Sequence, residues 1–148
     1  MPDHLRLEID HDDDGTAELF AHVEANGFSG HGSAWFDTRE VAGLSAQPAQ
    51  AFPLQTPVEI KGGYWIRSEP VLKHEHLALK FYPAGGRGVV GCQVRIASVL
   101  AADERPERQQ VLHAELLTSY QQLQEFAVAL GRLAANEASA ALLRAVEL

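Results

Sequence analysis

Residues 8 to 18 read EIDHDDDGTAE, in which Asp10, Asp12 and Asp14 followed by Gly15 match the D-x-D-x-D-G opening of an EF-hand calcium loop. That loop requires a bidentate glutamate at its twelfth position. Counting from Asp10, the position holds Ala21, and the flanking residues alternate in hydropathy as strands do, so a hairpin turn is favoured over a calcium site. The same carboxylates offer little to catalysis, because adjacent acids on a solvated turn titrate normally and a general acid needs burial. What remains is charge: Asp10, Asp12, Asp13, Asp14 and Glu18 form a candidate surface for a basic protein partner, against the plainer reading of a turn that only keeps the chain soluble.

His74 and His76 in KHEHLAL stand two apart on an expected strand, so both imidazoles point to one face and form the edge of a possible metal site. A zinc centre needs a third protein ligand, and His4, His11, His22, His31 and His113 are scattered along the chain. Solvated surface histidines are the plainer reading. A metal-dependent hydrolase built around His74 and His76 is the alternative function, and it stands second.

Other catalytic signatures are missing or fail their context. No G-x-S-x-G, phosphate loop or H-E-x-x-H occurs. Gly86 to Gly91 spells GxGxxG, but a dinucleotide site needs a helix after it, and here a strand is expected. Cys92 shares an apolar face with Val90, Val94 and Ile96, which makes it a core thiol. No cofactor is expected.

The elements that would position these residues can be read from periodicity. Leu5, Leu7 and Ile9 alternate, as do Leu19, Ala21 and Val23, and pairing the two sets on one face puts Ile9 opposite Leu19, Leu7 opposite Ala21 and Leu5 opposite Val23. The loop is then Asp13-Asp14-Gly15, with Gly15 where a positive φ is wanted. Gly27, Gly30 and Gly32 lie among Phe28, Trp35 and Phe36, either a loop presenting aromatics or a strand that feeds Trp35 into the core; burial is the ordinary fate of tryptophan and is expected here. A short helix follows over DTREVAGLSAQ, capped by Asp37 or Thr38 with Glu40 in the capping-box position.

Pro48, Pro53 and Pro57 mark a loop, VEIKGGYWIR reads as a hairpin turning at Gly62-Gly63, and a second hairpin centres on Gly85-Gly86, with Leu77, Leu79 and Phe81 alternating on one strand and Val90, Cys92, Val94, Ile96 and Leu100 on the next. Leu112, Ala114 and Leu116 mark one more strand. A helix with Tyr120, Leu123, Ala127, Leu130 and Ala134 on one stripe follows, capped by Thr118 or Ser119 with Gln121 or Gln122. Asn136 is expected to cap a last helix carrying Leu142, Leu143 and Val146. No internal repeat is evident.

Composition sets the frame. A chain of 148 residues, 46% hydrophobic and 22% charged, suits one globular domain over 1–148. Its net charge of −8 is concentrated at one end: the first 24 residues hold eight acids and one arginine, the rest twelve acids and eleven bases. That sign argues against nucleic-acid binding. No apolar run approaches the roughly 20 residues of a membrane span, and a single cysteine with no signal-like opening points to the cytoplasm. Homo-oligomerisation stays open.

Four features together resemble small bacterial α+β proteins and the immunity proteins paired with polymorphic toxins. They are the F-S-G-x-G-S-A-W-F segment from Phe28 to Phe36, the capped helix ending near Phe52-Pro53, the meander with its G-G turn, and Y-x-x-L-x-x-F-A-x-x-L from Tyr120 to Leu130. The resemblance spans about Gly27 to Leu133 and implies a non-enzymatic protein that binds a toxin domain, with no catalytic residue carried over. The acidic first hairpin is not part of it. The expected fold class is α+β: one mainly antiparallel twisted sheet of about six or seven strands, with one short inserted helix and two C-terminal helices on one face.

Overall fold

The first hairpin forms as the alternation of its leucines requires. Strand β1 (His4–His11) pairs antiparallel with β2 (Thr16–Ala25), setting Ile9 opposite Leu19, Leu7 opposite Ala21 and Leu5 opposite Val23. The Asp12 N–H donates to the Thr16 carbonyl, leaving Asp13, Asp14 and Gly15 as the loop, with Gly15 at φ 85°. The computed structural model describes residues 3–50, 54, 56–66 and 71–146.

Strand β3 (Phe28–Asp37) pairs with β2 and runs into helix α1 (Thr38–Gln50). The Arg39 N–H donates to Asp37 Oδ1 at 2.8 Å and the Asp37 N–H to Glu40 Oε1 at 3.2 Å, which closes the expected capping box. Then come β4 (Val58–Ile66), β5 (Val71–Pro83), β6 (Val89–Ala97), a 3-10 turn at Pro106–Arg108, β7 (Val111–Ser119), helix α2 (Tyr120–Ala134) and β8 (Ala141–Arg144). Ser119 caps α2, its hydroxyl accepting from the Gln122 N–H at 3.1 Å.

The fold is α+β, but the expected single sheet of six or seven strands is two antiparallel sheets of four, ordered β3-β2-β1-β8 and β4-β5-β6-β7. The physical reason is burial: each sheet has one apolar face, and each covers the other's. Nor do two C-terminal helices pack on one side. Asn136, at φ 61°, follows α2 as a left-handed residue that ends a helix. Beyond it Ala141 and Leu143 are buried while Leu142 and Arg144 point out, and Leu143 sits opposite Leu5 in the first sheet.

Three smaller expectations also change. Gly62 and Gly63 lie inside β4 and not at a turn, facing Leu77 and Glu75 of β5. The second hairpin keeps odd positions facing even, but its register slips by two: a turn centred on Gly85-Gly86 would set Phe81 opposite Val90, whereas Phe81 faces Cys92 and Leu79 faces Val94, with the longer loop Gly85–Gly88 closed by the Ala84 N–H on the Val89 carbonyl. Pro48 falls within the span of α1, while the expected helix end near Phe52-Pro53 lies outside the described residues.

The order of elements is the same twice over: a three-stranded meander, a helix and a strand, first β1-β2-β3-α1-β4 and then β5-β6-β7-α2-β8. Each closing strand leaves its own half, β8 adding to β1 and β4 to β5. The registers also correspond. The row Gly32, Ala21, Leu7, Ala141 across the first sheet has its counterpart in Ala114, Val94, Leu79, Ile60 across the second, and Gly30, Val23, Leu5, Leu143 has Leu112, Ile96, Leu77, Gly62. On this correspondence His4-Leu5-x-Leu7 falls on His76-Leu77-x-Leu79, and His31 on His113.

Where the sheets meet, small residues of one receive large residues of the other. A methyl group on Gly30 would collide with Leu112, on Gly32 with Ile96, and on Gly62 with Phe36 and Ala34. The two inner faces and both helices share one core, in which the Phe81 and Phe126 rings lie 5.9 Å apart. Past β8, the Val146 N–H donates to the Leu117 carbonyl and the Thr118 hydroxyl to the Arg144 carbonyl, joining the edges of the two sheets.

Candidate functional site

Because Leu7, Ile9, Leu19, Ala34 and Phe36 turn toward the core, their strand neighbours must turn outward. Asp10 therefore stands opposite Glu18, and Glu18 opposite Trp35, in one row across β1, β2 and β3; Glu8, Phe20 and Ser33 form the next. Glu18 accepts from the Ser33 hydroxyl at 2.6 Å. At the loop, Asp12 accepts from the Asp13 N–H at 2.7 Å and Asp14 from the Thr16 N–H at 3.0 Å. The Thr16 hydroxyl and then its N–H hold the Asp14 carboxyl below the usual carboxylate range.

The start of α1 is fastened to this loop, since the Thr38 N–H and hydroxyl both donate to the Gly15 carbonyl, at 3.0 and 3.1 Å. Asp37 and Glu40 thereby join the acidic end of the hairpin. Among the described residues, Arg39 is engaged by Asp37 at 2.9 Å and Arg6 by Glu8 at 2.8 Å. Among the described residues, none of Asp10, Asp12, Asp13, Asp14 and Glu18 has a cationic partner. The outer face of the second sheet differs: there Lys61 pairs with Glu59 at 3.4 Å and Arg95 with Glu75 at 3.5 Å.

Beside Glu18 lies a shallow hollow of about 250 Å³, walled by Trp35, Tyr64, His76 and Val99. Trp35 is 51%, Tyr64 57% and Val99 70% exposed. Trp35 was expected in the core. Phe36 takes that place, at 3% exposure, and in a strand two successive side chains cannot face the same way. The signal was present in the sequence as the W-F dipeptide on an alternating strand; Tyr64 and Val99 carried no comparable signal.

His74 and His76 do not share a simple strand face. Gly62 faces Leu77 and Gly63 faces Glu75, so His76 is the extra residue of a β-bulge. A side chain on Gly63 would collide with the His74 carbonyl and the His76 amide, and only glycine fits the bulge. His76 borders the hollow with Trp35, while His74 borders a separate one with Lys61, Lys73 and Arg95. Partial burial, and then the nearby His74, hold the His76 pKa below the usual histidine value. Among the described residues no cluster of three or more His, Cys, Asp or Glu side chains is placed to hold a metal ion.

Cys92 is fully buried, and that burial pushes its thiol pKa far up. Among the described residues no helix is long and apolar enough to cross a membrane. Comparison with protein-family models, with curated proteins and with solved structures finds no match.

Proposed function

We propose that the chain is a non-catalytic protein-binding module whose acidic first hairpin docks a basic protein. The observation that carries this is the row Asp10, Glu18, Trp35: two like charges set directly opposite each other, with no cation bonded to either among the described residues, beside a half-exposed tryptophan. Opposed like charges weaken a sheet, and an aromatic at the edge of a charged patch is typical of interfaces. Asp12, Asp13 and Asp14 extend the same negative field to the loop, where it would steer a positively charged partner. An immunity role, with a toxin domain as the basic partner, is the form of this function that the sequence resemblance suggests.

The test is affinity capture from the native cell at low and high salt, with wild type and a chain carrying Asp12→Lys, Asp13→Lys and Asp14→Lys as parallel baits. A basic protein held stoichiometrically by wild type, released by salt and not held by the variant, is the expected result. Equal capture by both baits would reduce the hairpin to a solubilising turn.

A further inference from the structure

We propose that the hollow between Trp35 and Tyr64 is the seat of an arginine side chain of that basic partner, with Glu18 as its counter-charge. The inference rests on the acidic-hairpin reading and adds the chemistry of the anchor. Trp35, Tyr64 and Val99 give the hollow apolar walls, two of them aromatic, and all three are about half exposed or more. Glu18 borders the same space, its carboxylate fixed by the Ser33 hydroxyl on Oε2, while Oε1 has no hydrogen-bond partner among the described residues.

A planar, weakly hydrated guanidinium suits such a place better than an ammonium, because it stacks on aromatic faces and forks onto a carboxylate at once. Charge complementarity selects the occupant: Asp10 lies beside Glu18 in the same row, and neither has a cation of its own among the described residues. His76, the one base in the wall among the described residues, is held toward its neutral form by burial. It adds little repulsion at neutral pH.

The probe is a hexa-arginine peptide titrated calorimetrically at low salt, with hexalysine as the control of equal charge. Wild type is expected to bind hexa-arginine about fivefold or more tighter than hexalysine, a preference of cation–π size. Trp35→Leu and Glu18→Gln should each abolish the preference. The Asp12→Asn, Asp13→Asn, Asp14→Asn chain should weaken both peptides and keep it. Should Trp35→Leu not fold, Glu18→Gln decides, since its amide oxygen still accepts from Ser33. Equal binding of the two peptides to wild type, or a preference that survives Glu18→Gln, overturns the arginine seat while leaving the acidic interface standing. No binding of either peptide overturns both.

Discussion

Asp10 and Glu18 face each other directly across β1 and β2 on the outer surface of the first sheet, and among the described residues no cation is bonded to either. Each carboxylate thus raises the free energy of the folded sheet. Asp10→Asn should relieve the repulsion and stabilise the chain by about 0.2–1 kcal/mol, the usual size of a cross-strand charge effect. Denaturant unfolding of the two proteins checks this, and the same variant should bind the basic partner more weakly. A gain in stability joined to a loss of affinity marks a surface shaped for a partner; a variant no more stable than wild type would remove that inference.

The interlocked halves make a prediction about folding. Chains spanning 1–68 and 69–148 should each lack a closing strand for their own sheet, because β4 serves the second meander and β8 the first. Expressed apart, each half should be unfolded or aggregated by circular dichroism; mixed, they should recover the native spectrum as a one-to-one complex. A half that folds alone as a monomer would show that the exchanged strands are dispensable.

Gly32 and Ile96 test the contact between the sheets, because a methyl group on Gly32 would run into Ile96 Cγ2. Gly32→Ala should cost about 1–3 kcal/mol, the range for overpacking a core, and Ile96→Ala about 2–5 kcal/mol, the range for a cavity. The double variant should cost clearly less than the two together, since each change makes room for the other. Strict additivity in denaturant unfolding would place the two residues out of contact.

These glycines also explain what was and was not legible in the sequence. The register of the first hairpin, the caps of α1 and α2 at one of the two residues offered for each, and the burial of Cys92 follow from local alternation and capping chemistry and appear in the structure, whereas the cap expected at Asn136 does not. The twofold order of elements was not legible. Corresponding positions differ in size where the sheets meet, as Gly30 faces Leu112, its own counterpart in the second half, so the two halves show no common residue pattern there. β8 was hidden for another reason: Leu142 and Leu143 are adjacent, and nothing local says that only Leu143 is buried. His74 and His76 lost their common face to a bulge made by Gly63, whose effect on register is visible only once β4 and β5 are paired.

Asp37 should give the fold a pH dependence of known sign. Its carboxyl is held below the usual range by the Arg39 side chain and then by the Arg39 N–H it caps. A group whose folded pKa is depressed stabilises above its unfolded value, near pH 4, and loses that contribution as pH falls through the folded value. Wild type should therefore exceed Asp37→Ala in melting temperature at pH 7, with the gap closing only below about pH 4. A gap that stays constant into strong acid would assign the loss to packing and not to the charged cap.

Cys92 should be inert to thiol reagents in the native state, because burial holds it as the protonated thiol. Labelling by an aromatic disulfide at pH 8 should follow the unfolding transition in denaturant. Rapid labelling without denaturant would contradict the core position of the side chain.

Docking of a basic protein on the acidic hairpin is tested by mapping amide chemical-shift changes on the isotope-labelled chain as the captured basic partner is added. Changes are expected at residues 10–18, at Ser33 to Trp35 and at Tyr64, fading together as salt is raised. The outer face of the second sheet, around Lys61, Lys80 and Arg95, should stay silent. Changes centred on that second face, with the acidic hairpin unmoved, would contradict it.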